Sequence, residues 1–113
     1  MERHDLLQLS APGGVTDPLV LVDDDGARAL LLVLEADQEL GDHQTRENCW
    51  MVVVEGTFEV GDNGARQTVG VGGFLRWPRD ERRTVRTTTG GRMLMVLAPW
   101  PADDHFLDGE PPR

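Results

Sequence analysis

The chain has 113 residues, 39% hydrophobic and 27% charged, which is the composition of one globular domain able to bury a core without covalent staples. Its 20 acids against 11 bases leave a net charge of −9, which argues against non-specific nucleic-acid binding and against docking on anionic membranes. One cysteine, Cys49, excludes an internal disulfide framework and a structural zinc cluster.

Met1-Glu2-Arg3-His4-Asp5 leads into no apolar signal sequence, and the longest apolar run, Ala29 to Leu34, is too short to cross a bilayer, so a cytoplasmic location is expected. Residues Met1 to Ser10 are expected to form one or two helical turns with Leu6, Leu7 and Leu9 on the buried side, ended by Ala11-Pro12-Gly13-Gly14. Leu19 to Val22 reads as a strand. Asp23-Asp24-Asp25-Gly26 reads as a hairpin turn, because Asp-Gly tolerates positive φ. These aspartates do not complete a calcium loop. Ala27 to Glu35 is the next strand, and Ala36 to Asp42 a polar crossing.

His43 to Val54 reads as one strand, polar at its start and apolar from Trp50 onward. Glu55-Gly56 breaks it, and Thr57 to Val60 resumes the pattern. Gly61-Asp62-Asn63-Gly64 is a second hairpin turn, and Ala65 to Val69 a polar edge strand. A turn at Gly70-Val71-Gly72-Gly73 leads to a short strand, Phe74 to Trp77. Pro78-Arg79-Asp80-Glu81 turns again. Arg83 to Thr89 is rich in β-branched residues, Gly90-Gly91 turns, and Arg92 to Ala98 is the last apolar strand. From Pro99 a Pro-rich, acidic tail is expected to lie extended on the surface. His105, beside Asp103 and Asp104, reads as a solvated tail residue.

About eight predicted strands with glycine turns and little helix describe an all-β antiparallel barrel or jelly roll. A single domain over 1–113 is expected, with an N-terminal segment 1–16, a barrel 17–98 and a tail 99–113. Residues 29–34, 50–54 and 93–98 are apolar on both strand faces, whereas a half-exposed strand alternates. One face fills the barrel. The other needs cover from the N-terminal segment, the tail or a second subunit, and a homodimer is the expected source.

Two stretches carry a family resemblance. The first is Gly41-Asp42-His43, with Glu55-Gly56 closing a hairpin 13 residues after the histidine. The second is Gly72-Gly73-Phe74-Leu75-Arg76-Trp77-Pro78, followed by the strand from Arg83. Over Leu30 to Ala98 the chain resembles a cupin, which implies a double-stranded β-helix, or jelly-roll, barrel. In metal-binding cupins four side chains point into the barrel, three from the first motif and one from the second. Here those positions fall on His43, Thr45, Cys49 and Arg83, so only the first histidine remains. The metalloenzyme activities of the family are therefore not carried over. The pattern is closer to short cupins whose first motif keeps one histidine and has a small residue in place of the glutamate.

The candidate ligand-binding residues are His43, Thr45, Glu47, Cys49, Trp77 and Arg83. His43 is either an acid–base group or a hydrogen-bonded wall residue. Cys49 is either a small buried hydrophobe or a soft metal ligand. Glu47 either replaces the missing carboxylate or pairs with an arginine such as Arg46 or Arg83. If Cys49, Met51 and Val53 face inward on an unbroken strand, so do His43, Thr45 and Glu47. Arg83 in a ligand position opposes a cation by roughly 1–4 kcal/mol at ~4 Å and favours a carboxylate or phosphate. The competing reading is an internal salt bridge to Glu47 or Glu81, while Arg82 faces solvent. Trp77 is a wall or rim residue, Trp50 an interface or second-face residue.

Two functions compete with a pure assembly role. The first is a non-catalytic barrel that binds a small anionic or aromatic ligand, or serves as a sensor or accessory protein. No cofactor is expected for it. The second is a metal-dependent enzyme, dioxygenase- or isomerase-like, with a divalent metal on His43, Glu47 and Cys49.

Overall fold

Short runs of β-branched and apolar residues, cut by glycine and Asp turns, set the strand limits. The computed structural model describes residues 1–10, 18–24, 26–62 and 65–103, with the backbone alone described for Asp42, His43 and Asp62. The Ala11-to-Gly14 break, Asp25, Asn63-Gly64 and His105 lie outside the described residues. Within them the chain forms β1 (Leu19–Asp24), β2 (Ala27–Leu34), β3 (Glu39–His43), β4 (Asn48–Gly56), β5 (Phe58–Asp62), β6 (Ala65–Val69), β7 (Phe74–Trp77), β8 (Arg83–Arg86) and β9 (Gly91–Ala98). No described helix is long and apolar enough to cross a membrane.

The strands make a five-stranded sheet, β1-β2-β9-β4-β7, and a four-stranded sheet, β3-β8-β5-β6. Their neighbours pair antiparallel. From β2 to β5, and again from β6 to β9, every connection crosses between the sheets, as in a jelly roll, while β1-β2 and β5-β6 are hairpins. Period-two alternation then fills the space between them. Leu30, Leu32 and Leu34 of β2, Cys49, Met51 and Val53 of β4, and Met93, Met95 and Leu97 of β9 face Phe58, Val60 and Val85 in one core. Burying each large side chain contributes about 1.5–3 kcal/mol.

One end of the barrel is closed by glycines. Gly56 has φ 78, and a Cβ there would collide with the Gly90 carbonyl oxygen. A Cβ on Gly91 would collide in turn with the Glu55 carbonyl oxygen. The two turns approach this closely only without side chains. The opposite end carries the buried charged residues Glu47 and Arg83.

Several expectations need correction. The polar crossing contains β3, because Leu40 packs on the core and pairs with Val85. The expected strand from His43 to Val54 is two strands in different sheets, with a bend over 44–47 between them. The bend's backbone bonds the next turn rather than a ladder. The strand from Arg83 ends at Arg86, since the Thr87 N–H donates to the Gln38 carbonyl at 3.1 Å and its hydroxyl to the Thr57 carbonyl at 2.7 Å.

At the N-terminus there is one turn, closed by Gln8 N–H to the Asp5 carbonyl at 3.1 Å, and no helix. So short a segment does not repay helix nucleation. Leu6 and Leu9 are partly buried, but Leu7 is 51% exposed. Arg92 Nη1 donates to the carbonyls of Leu6 at 2.7 Å and Leu9 at 2.5 Å, which lays this segment against the outer face of the five-stranded sheet. On that face Trp50, Val52, Leu94 and Val96 are partly buried.

The start of the C-terminal segment is not a surface tail. Trp100 packs on the core, and its N–H donates to the Gly26 carbonyl at 2.6 Å. The Arg28 guanidinium stacks over the Trp100 ring at 4.6 Å, and Ala102 is buried. Apolar contact and a cation–π pair hold the segment down in spite of its prolines.

Candidate functional site

Two loops build the end opposite the glycines. The bend over 44–47 carries Thr45, Arg46 and Glu47, and the turn from Pro78 to Glu81 leads into Arg83. Asp80 takes a positive φ of 65, which aims its N–H at the Thr45 carbonyl, 2.8 Å away. Asp80 also pairs with Arg46 at 3.2 Å, and Arg79 Nε donates to the Arg46 carbonyl at 2.5 Å. The Thr45 hydroxyl donates to the Glu47 carbonyl at 3.0 Å and shapes the bend from within. Each loop therefore fixes the other.

Glu47 is fully buried, and its Oε2 accepts the backbone N–H of Ala102 at 2.9 Å. The bend thus turns Glu47 inward and ties it to the C-terminal segment. Cys49 opens the inner face of β4, opposite Trp77 on one side and Leu97 on the other. Burial pushes its thiol up to about 11, with the Arg83 charge opposing and the Glu47 charge adding to the rise. At neutral pH it is a thiol, not a thiolate, and so a poor nucleophile.

Arg83 begins β8 and points into the barrel, 3% exposed. Its backbone lies between His43 of β3 and Asp62 of β5 in the ladder. Its guanidinium is 5.9 Å from the centroid of the Trp77 ring. Burial lowers its pKa, and Cys49 once ionised and the nearby Glu81 carboxylate oppose that shift. Arginine titrates so high that it stays charged. Among the described residues neither its Nε nor its Nη1 has a hydrogen-bond partner. The expected salt bridge to Glu47 or Glu81 does not satisfy either nitrogen. Arg82 is exposed, as its place on the strand requires.

Trp77 is 5% exposed, and its Nε1–H donates to the Met51 sulfur at 3.3 Å. Trp77 also lines a cleft of about 130 Å³ with Val60, Ala65, Gln67, Leu75 and Arg76. Glu47, Cys49, Trp77 and Arg83 are thus buried at one end of the barrel. Thr45 shapes their frame, and His43 is adjacent to Arg83 by register alone, its side chain lying outside the description. The inward alternation of Leu75 and Trp77 was enough to suggest Leu75 as a lining residue. No local pattern marked Ala102 as the partner of Glu47.

A divalent metal does not fit the described donors. Among the described residues no group of three or more His, Cys, Asp or Glu is placed to hold one. Glu47 Oε2 accepts the Ala102 N–H, and the Arg83 cation repels a second positive charge.

The fold has close counterparts. A protein with a double-stranded β-helix domain from Klebsiella pneumoniae superposes with a TM-score of 0.80 at 15% identity, over 90% of this chain and 93% of that one. An RmlC-like cupin from Desulfovibrio desulfuricans gives 0.79 at 24% identity, over 88% and 97%. A cupin superfamily protein from Desulfitobacterium hafniense gives 0.75 at 10% identity, over 82% and 85%. No protein-family model and no curated protein matches the sequence. The chain has the fold of a small cupin domain.

Proposed function

We propose that this cupin domain binds a small organic anion inside the barrel at Arg83, without catalysing a reaction. The observation that carries the reading is a guanidinium 3% exposed whose Nε and Nη1 lack an acceptor among the described residues. An unpaired buried charge costs several kcal/mol. A carboxylate supplies the missing acceptors, and charge-assisted bonds of this kind are about twice as strong as neutral ones. The neighbouring groups favour binding over turnover. Cys49 is held as a thiol with its pKa raised to about 11, and Glu47 is engaged by Ala102. A sensor or accessory role fits such a site.

Thermal melting with small carboxylates tests this reading. At about 100 times its dissociation constant a ligand adds roughly 2.7 kcal/mol of stability. That gain is expected in the native protein and absent in Arg83→Met. Equal gains in both proteins would overturn the assignment.

A further inference from the structure

We infer that the anion is a monocarboxylate carrying a compact apolar group of about one ring, seated in the cleft between β6 and β7. The inference rests on the anion site proposed above and adds the chemistry of the rest of the ligand. Trp77 is common to both halves. Its ring sits 5.9 Å from the Arg83 guanidinium, and the residue also lines the cleft, which Arg83 itself does not. Val60, Ala65 and Leu75 supply the remaining apolar lining, with Gln67 and Arg76 as the polar members. Arg76 Nη2 donates to the Asn48 side-chain oxygen at 3.2 Å, which fixes the guanidinium at the rim without neutralising it.

The volume sets the size. The cleft holds about 130 Å³, and an apolar cavity of about 150 Å³ takes a benzene molecule. A ring placed there stacks on the indole at the usual centroid spacing of about 4.5–7 Å. Charge sets the headgroup. Arg83 is the buried cation among the described residues, and Glu47 is a buried acid two residues before Cys49. One negative charge neutralises Arg83. A phosphate dianion adds a second negative charge beside Glu47, with no further buried cation described to receive it.

Calorimetric titration of the full chain with benzoate, acetate and inorganic phosphate tests the assignment. Benzoate is expected to bind at least about tenfold more tightly than acetate, a difference of about 1.4 kcal/mol, and more tightly than phosphate. Ala65→Phe and Leu75→Phe each fill the cleft. Ala65 is exposed on β6, so its variant folds even if the Leu75 variant does not. Either folded variant is expected to reduce benzoate affinity about tenfold and leave acetate unchanged. Arg83→Met is expected to lose both carboxylates. Equal affinity for benzoate and acetate, or phosphate binding as tightly as benzoate, overturns the ligand class and leaves the anion site standing. Benzoate affinity unmoved in a folded cleft variant does the same. If no carboxylate binds, or Arg83→Met binds as the native protein does, the anion site itself falls.

Discussion

The Glu47 carboxylate accepts the Ala102 N–H at 2.9 Å, and both residues are buried. A carboxylate that the sequence offers as a possible metal ligand or arginine partner is bound through Oε2 to the chain's own C-terminal segment. Glu47→Ala strips a buried N–H of its acceptor and is expected to cost about 1–3 kcal/mol. Glu47→Gln keeps a carbonyl oxygen at the same place and is expected to cost clearly less. Urea unfolding of both variants checks the difference, and native stability in Glu47→Ala would contradict it.

Arg83 has the opposite balance between stability and function. Replacing a buried charge with an apolar side chain of similar length is often stabilising, by about 1–4 kcal/mol in measured ion-pair replacements. Arg83→Met is therefore expected to melt higher than the native protein when no ligand is present, and to gain nothing from added benzoate. A lower melting temperature would mean that the guanidinium is satisfied in the unliganded protein.

Cys49 gives a pH signature. Its thiol is raised from 9.0 to about 11 in the folded state. The folded state thus holds the proton more tightly than the unfolded chain. The resulting stability is fully present below pH 9 and is lost as the pH rises towards 11, by about 3 kcal/mol in all. Cys49→Ala is expected to flatten this decline, and slow labelling of Cys49 by iodoacetamide at pH 8 is expected alongside it. Rapid labelling in the folded protein would contradict the protonated, buried thiol.

The outer face of the five-stranded sheet supports an expectation of self-association. Trp50, Val52, Leu94 and Val96 lie on it partly buried, and Phe74, which pairs with Val52, is 67% exposed. A second copy seated there is expected to bury about 1,200 Å² or more in total. Light scattering is expected to give a dimer mass for the native protein and a monomer mass for Val52→Glu. A native monomer at micromolar concentration would reject this arrangement.

Turn chemistry and alternation made most of the barrel legible in the sequence. Gly56 and Gly90-Gly91 marked turns that admit no side chain, and Cys49, Met51 and Val53 alternated inward as expected. Arg83 stood out because a cation replaced a ligand. The break between β3 and β4 was not legible, since the bend over 44–47 is held by Asp80 and Arg79, more than 30 residues away. The same holds for the C-terminal segment. Nothing local to Trp100 or Ala102 announces Arg28, Gly26 or Glu47 as partners. Long-range polar contacts leave no periodicity to read.

The most direct test is the proton–nitrogen resonance of the Arg83 Nε group, assigned by its loss in Arg83→Met and followed during benzoate titration. Occupation of the site predicts a saturable shift of that resonance, with slowed solvent exchange, at the same dissociation constant that calorimetry gives. A resonance that stays in place while benzoate saturates the protein would contradict anion binding at Arg83.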